Sequence, residues 1–419
     1  MKTRMLVLIA ALFAFSMPEL PQATAQQAKK VRAVCTLPTL KALTAEIGGE
    51  RVIVTALAKG DQDPHNVTPT PLLMQATREA DLFIENGFSL ELWADQVVNG
   101  SGNSRIFRGT PGRVVAGEGI AALEIPQTLS REFGDIHPQG NPHVWLDPLQ
   151  AKVEAANICE ALKRVDPTGA SYYDARKESF FARIDNALFG PELLKLIGIQ
   201  KLTRLTWSGQ LSSFLADNQF GGKPLAAYAG GWLKAAQPLN GTKAYEFHKV
   251  WVYFARVFGI QLAGTIEERP GIPPGPQHVR QVTESIKAQK VPLILVDNFY
   301  DPALPNSIAR QTGAVVVLLP DQVEGEPGLA TYTDLIDRLI AKMTEALKPR
   351  TNNEGVQRLV FGEGVPRLWR SILSHPYPGL TADCGTHLTL WVLVDLDVDL
   401  DLDLDVDPDY PVRHELSQA

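Results

Sequence analysis

The amino-acid sequence predicts an α/β protein with two parallel-sheet lobes joined by one long helix. Short apolar runs alternate with helical segments near the start of the chain, and the alternation resumes after about residue 241. This pattern is typical of βα units, whose strands form a mostly parallel sheet. Between the two series lies a long helical stretch with few breakers, from Pro167 to about Leu196, which we expect to connect the lobes.

The first series defines an N-terminal lobe over residues 26–165. Its strands are expected at 31–37, 51–57 and 82–85. Its helices are expected at Leu40–Ile47, Pro71–Ala80, Glu91–Val98 and Gln150–Arg164. Thr70 before Pro71, and Asp147 before Pro148, are favourable N-cap and first-turn pairs, so two helices should begin at those prolines.

The second series defines a C-terminal lobe over residues 197–348, and the linking helix is assigned to 166–196. The expected strands are 244–247, 260–264, 291–296 and 314–319, and the expected helices are 249–258, 277–289, 302–312 and 331–347. The segment from about 203 to 241 is rich in Gly, Ser and Trp and fits neither periodicity. We interpret it as an insertion in this lobe.

Residues 1–25 have the pattern of a cleaved secretory signal. Lys2 precedes an apolar run over 5–15, and an Ala-x-Ala exit ends at Ala25. The run is shorter than the roughly 20 apolar residues that a membrane-spanning helix needs. Cys35 lies well downstream of the expected cleavage point, so we expect no lipid anchor and a protein that is free in the periplasm.

The end of the chain differs from the rest in composition. Over residues 392–407 apolar residues and Asp alternate almost strictly. Alternation of period two formally indicates a strand, but Asp is a poor strand former, and like charges on one face repel. We therefore expect residues 349–419 to form an atypical, Asp-rich and largely disordered tail.

Charge and cysteine content exclude several classes of function. A net charge of −7 argues against a nucleic-acid partner, which would require a clustered basic face. Cys35, Cys159 and Cys384 are odd in number and far apart, so they form neither a disulfide framework nor a C-x-x-C metal site. Any zinc site must therefore use histidine and carboxylate ligands.

Three histidines share one local setting. His65 in DPHNVTPTP follows a predicted strand and precedes a helix, His143 in NPHVWLDP precedes another helix, and His248 follows the strand AYEF. In open α/β sheets, ligands bind at the carboxyl ends of the strands. A single histidine there is usually a satisfied polar residue or a cap, whereas three in equivalent positions indicate a common site.

These segments resemble the signature segments of one family. DPHNVTPTP at 63–71, NPHVWLDP at 141–148, HKVWVYFARVFGI at 248–260 and ERPGIPPGPQHV at 268–279 are similar to segments of the metal-binding substrate-binding proteins of zinc and manganese ABC importers. They occur in the family order, and the resemblance covers roughly residues 30–347. It implies two α/β lobes bridged by a rigid helix, with the metal in the cleft between the lobes.

The resemblance also implies a ligand set. His65 and His143 would come from the first lobe and His248 from the second. The fourth family ligand is commonly an Asp after the last strand, where AVVVLLPDQVEG places Asp321. Glu91 and Asp301 remain alternatives for this position, as does a water molecule.

Three imidazoles with one carboxylate form a tetrahedral zinc shell, so zinc is favoured over manganese as the transported ion. The expected function is capture of Zn²⁺ and its delivery to the membrane permease of an ABC importer, by a monomer without nucleic-acid partners. A zinc hydrolase is disfavoured because no H-E-x-x-H motif is present. His137 is expected to be a solvated loop residue, with transient contact to the metal as the alternative, and His278 is expected to be structural. No motif surrounds the tail histidines, His375, His387 and His414.

Overall fold

The computed structural model describes residues 29–127, 137–267 and 271–349. The predicted signal peptide at 1–25, nearly all of the 349–419 tail and its three histidines lie outside these ranges, so their assignments stay predictions. Within these ranges, no helix combines the length and apolar character that crossing a bilayer requires.

The first lobe is built on a parallel sheet with strand order β2-β1-β3-β4. Its strands are β1 (Val31–Cys35), β2 (Val52–Ala56), β3 (Leu82–Glu85) and β4 (Arg113–Val115). Its helices are α1 (Pro38–Gly48), α2 (Pro71–Thr77), α3 (Ala94–Ser101) and α4 (Pro148–Val165). The sequence pattern predicted every element except β4, because three residues are too short a run to establish a period.

The two predicted helix starts are confirmed. The Thr70 side chain accepts a hydrogen bond from the Leu73 backbone N–H, and Pro71 opens α2. Asp147 accepts from the Leu149 N–H at 2.8 Å, and Pro148 opens α4. Because each cap ends the preceding loop at a defined residue, the loops that carry His65 and His143 are fixed at their C-terminal ends.

The long connecting helix is α5 (Ala170–Phe189), which packs against α1, α4 and α9 (Gly231–Ala235). It is shorter than the predicted 166–196. A 3₁₀ turn precedes it, and Gly190 ends it at φ 77°, a left-handed conformation suited to glycine. Pro191 then begins a separate helix, α6 (Pro191–Ile197).

The segment at about 203–241 is more regular than the sequence suggested. It contains the end of α7 (Ile199–Trp207), then α8 (Leu211–Asp217), a hairpin of β5 (Gln219–Phe220) and β6 (Lys223–Pro224), and α9. The prediction that it fits neither helix nor strand is wrong. Glycines at 209, 221, 222 and 230 divide it into pieces too short for a helical period to emerge.

The second lobe is built on a parallel sheet with strand order β10-β9-β7-β8. Its strands are β7 (Lys243–Glu246), β8 (Gln261–Thr265), β9 (Leu293–Asp297) and β10 (Val315–Leu319). Its helices are α10 (Val252–Phe258), α11 (Pro276–Gln289), α12 (Ala303–Thr312) and α13 (Tyr332–Ala346). All lie within a few residues of their predicted positions.

One continuous hydrophobic core extends through both lobes, from strand β1 to helix α13. Trp145 and Trp251 are fully buried in it. Hydrogen bonds also cross between the lobes: the Tyr332 hydroxyl donates to the Trp145 carbonyl at 2.7 Å, and the Trp145 indole N–H donates to the Asp321 carbonyl at 2.6 Å. The lobes are therefore joined by packing as well as by α5.

Several carboxyl groups are enclosed in this core. Burial raises the pKa of Glu154 to about 8 and that of Glu246 to about 8. Glu154, on α4, has no hydrogen-bond partner at either carboxyl oxygen. Because an unpaired buried carboxylate is strongly disfavoured, Glu154 is protonated in the folded metal-free chain at neutral pH.

We predict that the metal-free protein loses stability as pH rises from about 5 to about 8. In this window the folded chain keeps protons on its buried carboxyl groups, whereas the unfolded chain has lost them. Each group therefore lowers the free energy of unfolding by at most about 1.4 kcal/mol per pH unit. Thermal unfolding across this range should give a shallower slope for Glu154→Gln. Glu160→Gln, on the exposed side of α4, is the control, and an unchanged slope for Glu154→Gln would contradict the assignment.

Candidate metal centre

Three histidines converge from loops at the carboxyl ends of the strands. His65 lies between β2 and α2, His143 lies just before the turn into α4, and His248 follows β7. One ring nitrogen from each of the three lies within 4.8 Å of the others. Ring centroids are separated by 5.3 Å for His65–His143, 5.3 Å for His65–His248 and 5.9 Å for His143–His248.

The two first-lobe histidines are held by the same local structure. Asp63 Oδ1 accepts hydrogen bonds from the backbone N–H of His65 at 2.9 Å and from its ring Nδ1 at 2.8 Å. Asn141 Oδ1 likewise accepts from the backbone N–H of His143 at 3.0 Å and from its Nδ1 at 2.9 Å. In each case the acceptor stands two residues before the histidine, with proline between them, so the sequences D-P-H and N-P-H encode the same turn.

The second-lobe histidine obtains its acceptor from a neighbouring strand. Glu267, which follows β8, pairs through Oε2 with Nδ1 of His248, and both side chains are buried. All three imidazoles thus have an oxygen acceptor at Nδ1, which places the proton there and leaves the Nε2 lone pair for a metal ion. Glu267 was not predicted, since nothing in its spacing from His248 marks it.

The surroundings of His143 favour a neutral imidazole, and those of Asp63 favour an ionised carboxylate. Burial, together with the nearby His65 and His248, holds the pKa of His143 well below its usual range. Although burial opposes ionisation of Asp63, hydrogen bonds from the side chain and backbone of His65 and from Asn66 lower its pKa to about 2. Neutral imidazole is the form that coordinates a metal.

Two carboxyl groups lie fully buried at the ends of the neighbouring strands. Asp297 ends β9 and Asp321 follows β10, and neither carboxyl has a hydrogen-bond partner at either oxygen. Burial raises the pKa of both, and the charge of Asp321 raises that of Asp297 further. Asp321 is not a member of the group of ligand atoms within 4.8 Å. A buried carboxyl without a donor is a group that a cation would satisfy.

The two carboxylate alternatives for the fourth ligand, Glu91 and Asp301, form hydrogen bonds within local structure. Glu91 accepts from the Thr36 hydroxyl at 2.6 Å and from backbone N–H groups at residues 86 and 87. Asp301 is exposed and accepts at 2.9 Å from the backbone N–H of Ala303, the first residue of α12. Each carboxylate therefore stabilises a local turn or helix start.

His137 is not the solvated loop residue that the sequence predicted. Its ring lies 5.1 Å from the ring of His65, with the two Nε2 atoms 3.1 Å apart, and its Nδ1 is buried without a partner. Burial and the proximity of His65 and His248 lower its pKa to about 3. The prediction was wrong because solvation was inferred from loop composition, whereas this contact joins residues 72 positions apart.

A second group of potential ligands lies between α4 and α5, where Cys159, Glu160 and Asp174 come together. Lys163 and Lys177 both form ion pairs with Asp174, at 3.2 and 3.3 Å. Burial raises the pKa of the Cys159 thiol to about 11. Two ammonium groups on the carboxylate and a protonated thiol make this group unsuitable for a metal ion.

The fold and the site define a bilobed metal-binding protein, with histidines from both lobes meeting between two parallel sheets. A family model described as ZnuA, zinc-uptake complex component A, periplasmic, matches residues 33–188 and 226–346, more than half of the chain. The chain belongs to this family of transport binding proteins, which are not enzymes. It captures a divalent metal outside the cytoplasm for import by an ABC transporter.

Individual relatives differ in the metal that their names state. The chain is 26% identical over 318 residues to the iron-binding protein YfeA of Yersinia pestis, covering 75% of this chain and 85% of that protein. It is 25% identical over 251 residues to the high-affinity zinc uptake system protein ZnuA of Bacillus subtilis, covering 58% and 76%. A crystal structure of ZnuA matches the fold with a TM-score of 0.56 at 22% identity, covering 76% of this chain and all of that one.

We predict that Asp63→Ala weakens metal binding by about 10- to 100-fold, because the ring of His65 loses the acceptor that fixes its tautomer and orientation. Asp63→Asn keeps an oxygen acceptor and should lose less. Affinity is measured by competition with a chelator, and Asp61→Ala, an exposed carboxylate in the same loop, is the control. Equal affinities for Asp63→Ala and Asp61→Ala would show that the turn does not orient the ligand.

Proposed function

We propose that the chain captures Zn²⁺ through Nε2 of His65, His143 and His248, with Asp321 as the fourth ligand. The observation that carries this proposal is the convergence of three imidazoles, each with Nδ1 hydrogen-bonded to an oxygen acceptor. Such a set offers three preoriented nitrogen ligands at about 2.0–2.1 Å from one ion. The ion is then delivered to the permease of an ABC importer.

The donor types support zinc over manganese. Three nitrogens and one carboxylate match the tetrahedral preference of Zn²⁺, whereas Mn²⁺ is better served by oxygen ligands. His248 supplies nitrogen at the position where, by the family resemblance, manganese members tend to carry a glutamate. Iron and copper also accept imidazole, so selection between these ions is a matter for direct measurement.

Asp321 is proposed as the fourth ligand for two reasons. It is the carboxylate after the last strand of the second sheet, and it is fully buried without a hydrogen-bond donor. Because it lies outside the 4.8 Å group, coordination requires its carboxylate and the imidazoles to approach each other when the ion binds. The energetic gain is the removal of an unpaired buried carboxyl.

We further propose the division of the chain into a signal peptide at 1–25, lobes at 26–165 and 197–348, and a linking segment at 166–196. The family match omits residues 189–225, which supports a chain-specific insertion overlapping 203–241. We also propose that the mature protein acts as a monomer in the periplasm.

Zinc should stabilise the wild-type protein, with a single tight site per chain. At a free zinc concentration of 100 times Kd, mass action adds about 2.7 kcal/mol to the free energy of unfolding. His248→Ala removes the only second-lobe nitrogen ligand and should abolish most of the zinc-induced rise in melting temperature, whereas Asp321→Ala should keep part of it. Calorimetric titration measures the stoichiometry, and metal analysis of protein purified without chelator identifies the ion.

His278→Ala is the matched control, since it removes a half-buried histidine on α11. It should behave as wild type. A full zinc-induced shift in His248→Ala, or two equally tight sites, would contradict the proposed site. If metal analysis finds manganese or iron in the purified protein, the proposed ligands stay unchanged, but the proposal that the bound ion is zinc is wrong.

Zinc binding should weaken as pH falls from about 8 to about 5.5. Burial raises the pKa of Asp321 in the metal-free chain, so at lower pH its carboxyl is protonated and must release that proton to coordinate. The depressed pKa of His143 keeps this imidazole neutral throughout the window. Titration calorimetry in buffers of different ionisation enthalpy should therefore count more protons released by wild type than by Asp321→Asn. Equal counts would exclude Asp321 as the proton-releasing ligand.

A further inference from the structure

The nitrogen that His65 offers to a metal ion is already in contact with another side chain. Nε2 of His137 lies 3.1 Å from Nε2 of His65, and the ring planes are tilted by 39°. This distance is that of a hydrogen bond, so one of the two nitrogens must carry a proton and the other must accept it.

The acceptor at the other side of His65 decides which nitrogen is the donor. Asp63 Oδ1 lies 2.8 Å from Nδ1 of His65 and is an acceptor there, so a ring with a single proton carries it on Nδ1. If the single proton were on Nε2 instead, Nδ1 and the carboxylate oxygen would face each other at 2.8 Å with no proton between them. His137 is therefore the donor, and its N–H points at the Nε2 lone pair of His65.

We propose that His137 competes with the metal ion for His65: in the metal-free chain it occupies the lone pair that the ion needs, and it must withdraw when the ion binds. The proposal rests on the function proposed above, because it concerns the affinity of the same site. His137 is a positioning residue that sets this affinity, and it is not itself a ligand.

Two observations separate competition from coordination. His137 is not among the residues whose ligand atoms lie within 4.8 Å of one another, although His65 is. Its other ring nitrogen, Nδ1, is buried and has no hydrogen-bond partner. A ring with its proton on Nε2 and an unprotonated Nδ1 fits this environment, because an unpaired N–H at Nδ1 would leave a buried donor unsatisfied.

The contact lowers the apparent affinity by the fraction of molecules in which His65 is free. We call the form with the His137–His65 hydrogen bond closed and the form in which His65 is free open. The net free energy of an ordinary protein hydrogen bond makes the closed form about two- to tenfold more populated than the open form. The apparent Kd is raised by that factor, since only the open form binds the ion. A protein that must release its ion to a transporter benefits from such a weakening.

The test compares zinc affinities at about pH 7.5 by competition with a fluorescent chelator. His137→Ala removes the competing N–H, and His137→Phe removes it while keeping an aromatic ring of similar size. Both variants should bind Zn²⁺ about two- to tenfold more tightly than wild type, with His278→Ala unchanged as the control. Unchanged affinity in both His137 variants, or weaker binding that would make His137 a ligand, overturns the proposal.

A second readout does not require metal. In the metal-free protein, the nitrogen-15 resonance of His65 Nε2 should shift when His137 is replaced by Ala, because a hydrogen-bonded lone pair becomes free. An unmoved resonance overturns the competition even if zinc binds well. Failure of wild type to bind zinc would instead reject the proposed function, while the resonance still reports on the contact.

Discussion

The metal centre depends on the hydrogen bond from Nδ1 of each histidine to an oxygen acceptor. Without it, an imidazole would rotate and exchange tautomers, and three nitrogens from separate loops would not present lone pairs to a common point. In the first lobe the acceptors are close in sequence, since Asp63 and Asn141 lie two residues before their histidines. In the second lobe the acceptor comes from a neighbouring strand, since Glu267, the partner of His248, follows β8, which pairs with β7.

Three buried carboxyl groups lie at the ends of these parallel strands. Asp297, Asp321 and Glu246 all sit at or just beyond the ends of parallel strands, where burial raises each pKa. Buried carboxyl groups destabilise the fold less when they are protonated or when a cation pairs with them. Under the proposed function, which makes Asp321 a ligand, stability and metal binding are coupled through that carboxyl group.

Most of the fold was predictable because it depends on local signals. Apolar runs such as LILV and caps such as Thr70–Pro71 determine strands and helices within a few residues. The triad could be predicted because two of its members lie in short motifs. Glu267 and His137 could not be predicted, since their contacts join residues 19 and 72 positions apart and depend on tertiary packing. Strand β4 and the short helices after Gly198 offered too few residues for periodicity.

The shared core has a kinetic consequence. Opening the two lobes as rigid halves would break the Tyr332–Trp145 and Trp145–Asp321 hydrogen bonds and expose apolar surface around Trp145 to water. Because such a swing would require partial unfolding, we expect the metal ion to enter and leave through rotamer changes and small loop displacements instead. Packing between the lobes therefore restricts the expected motion to the side chains and loops around the histidines.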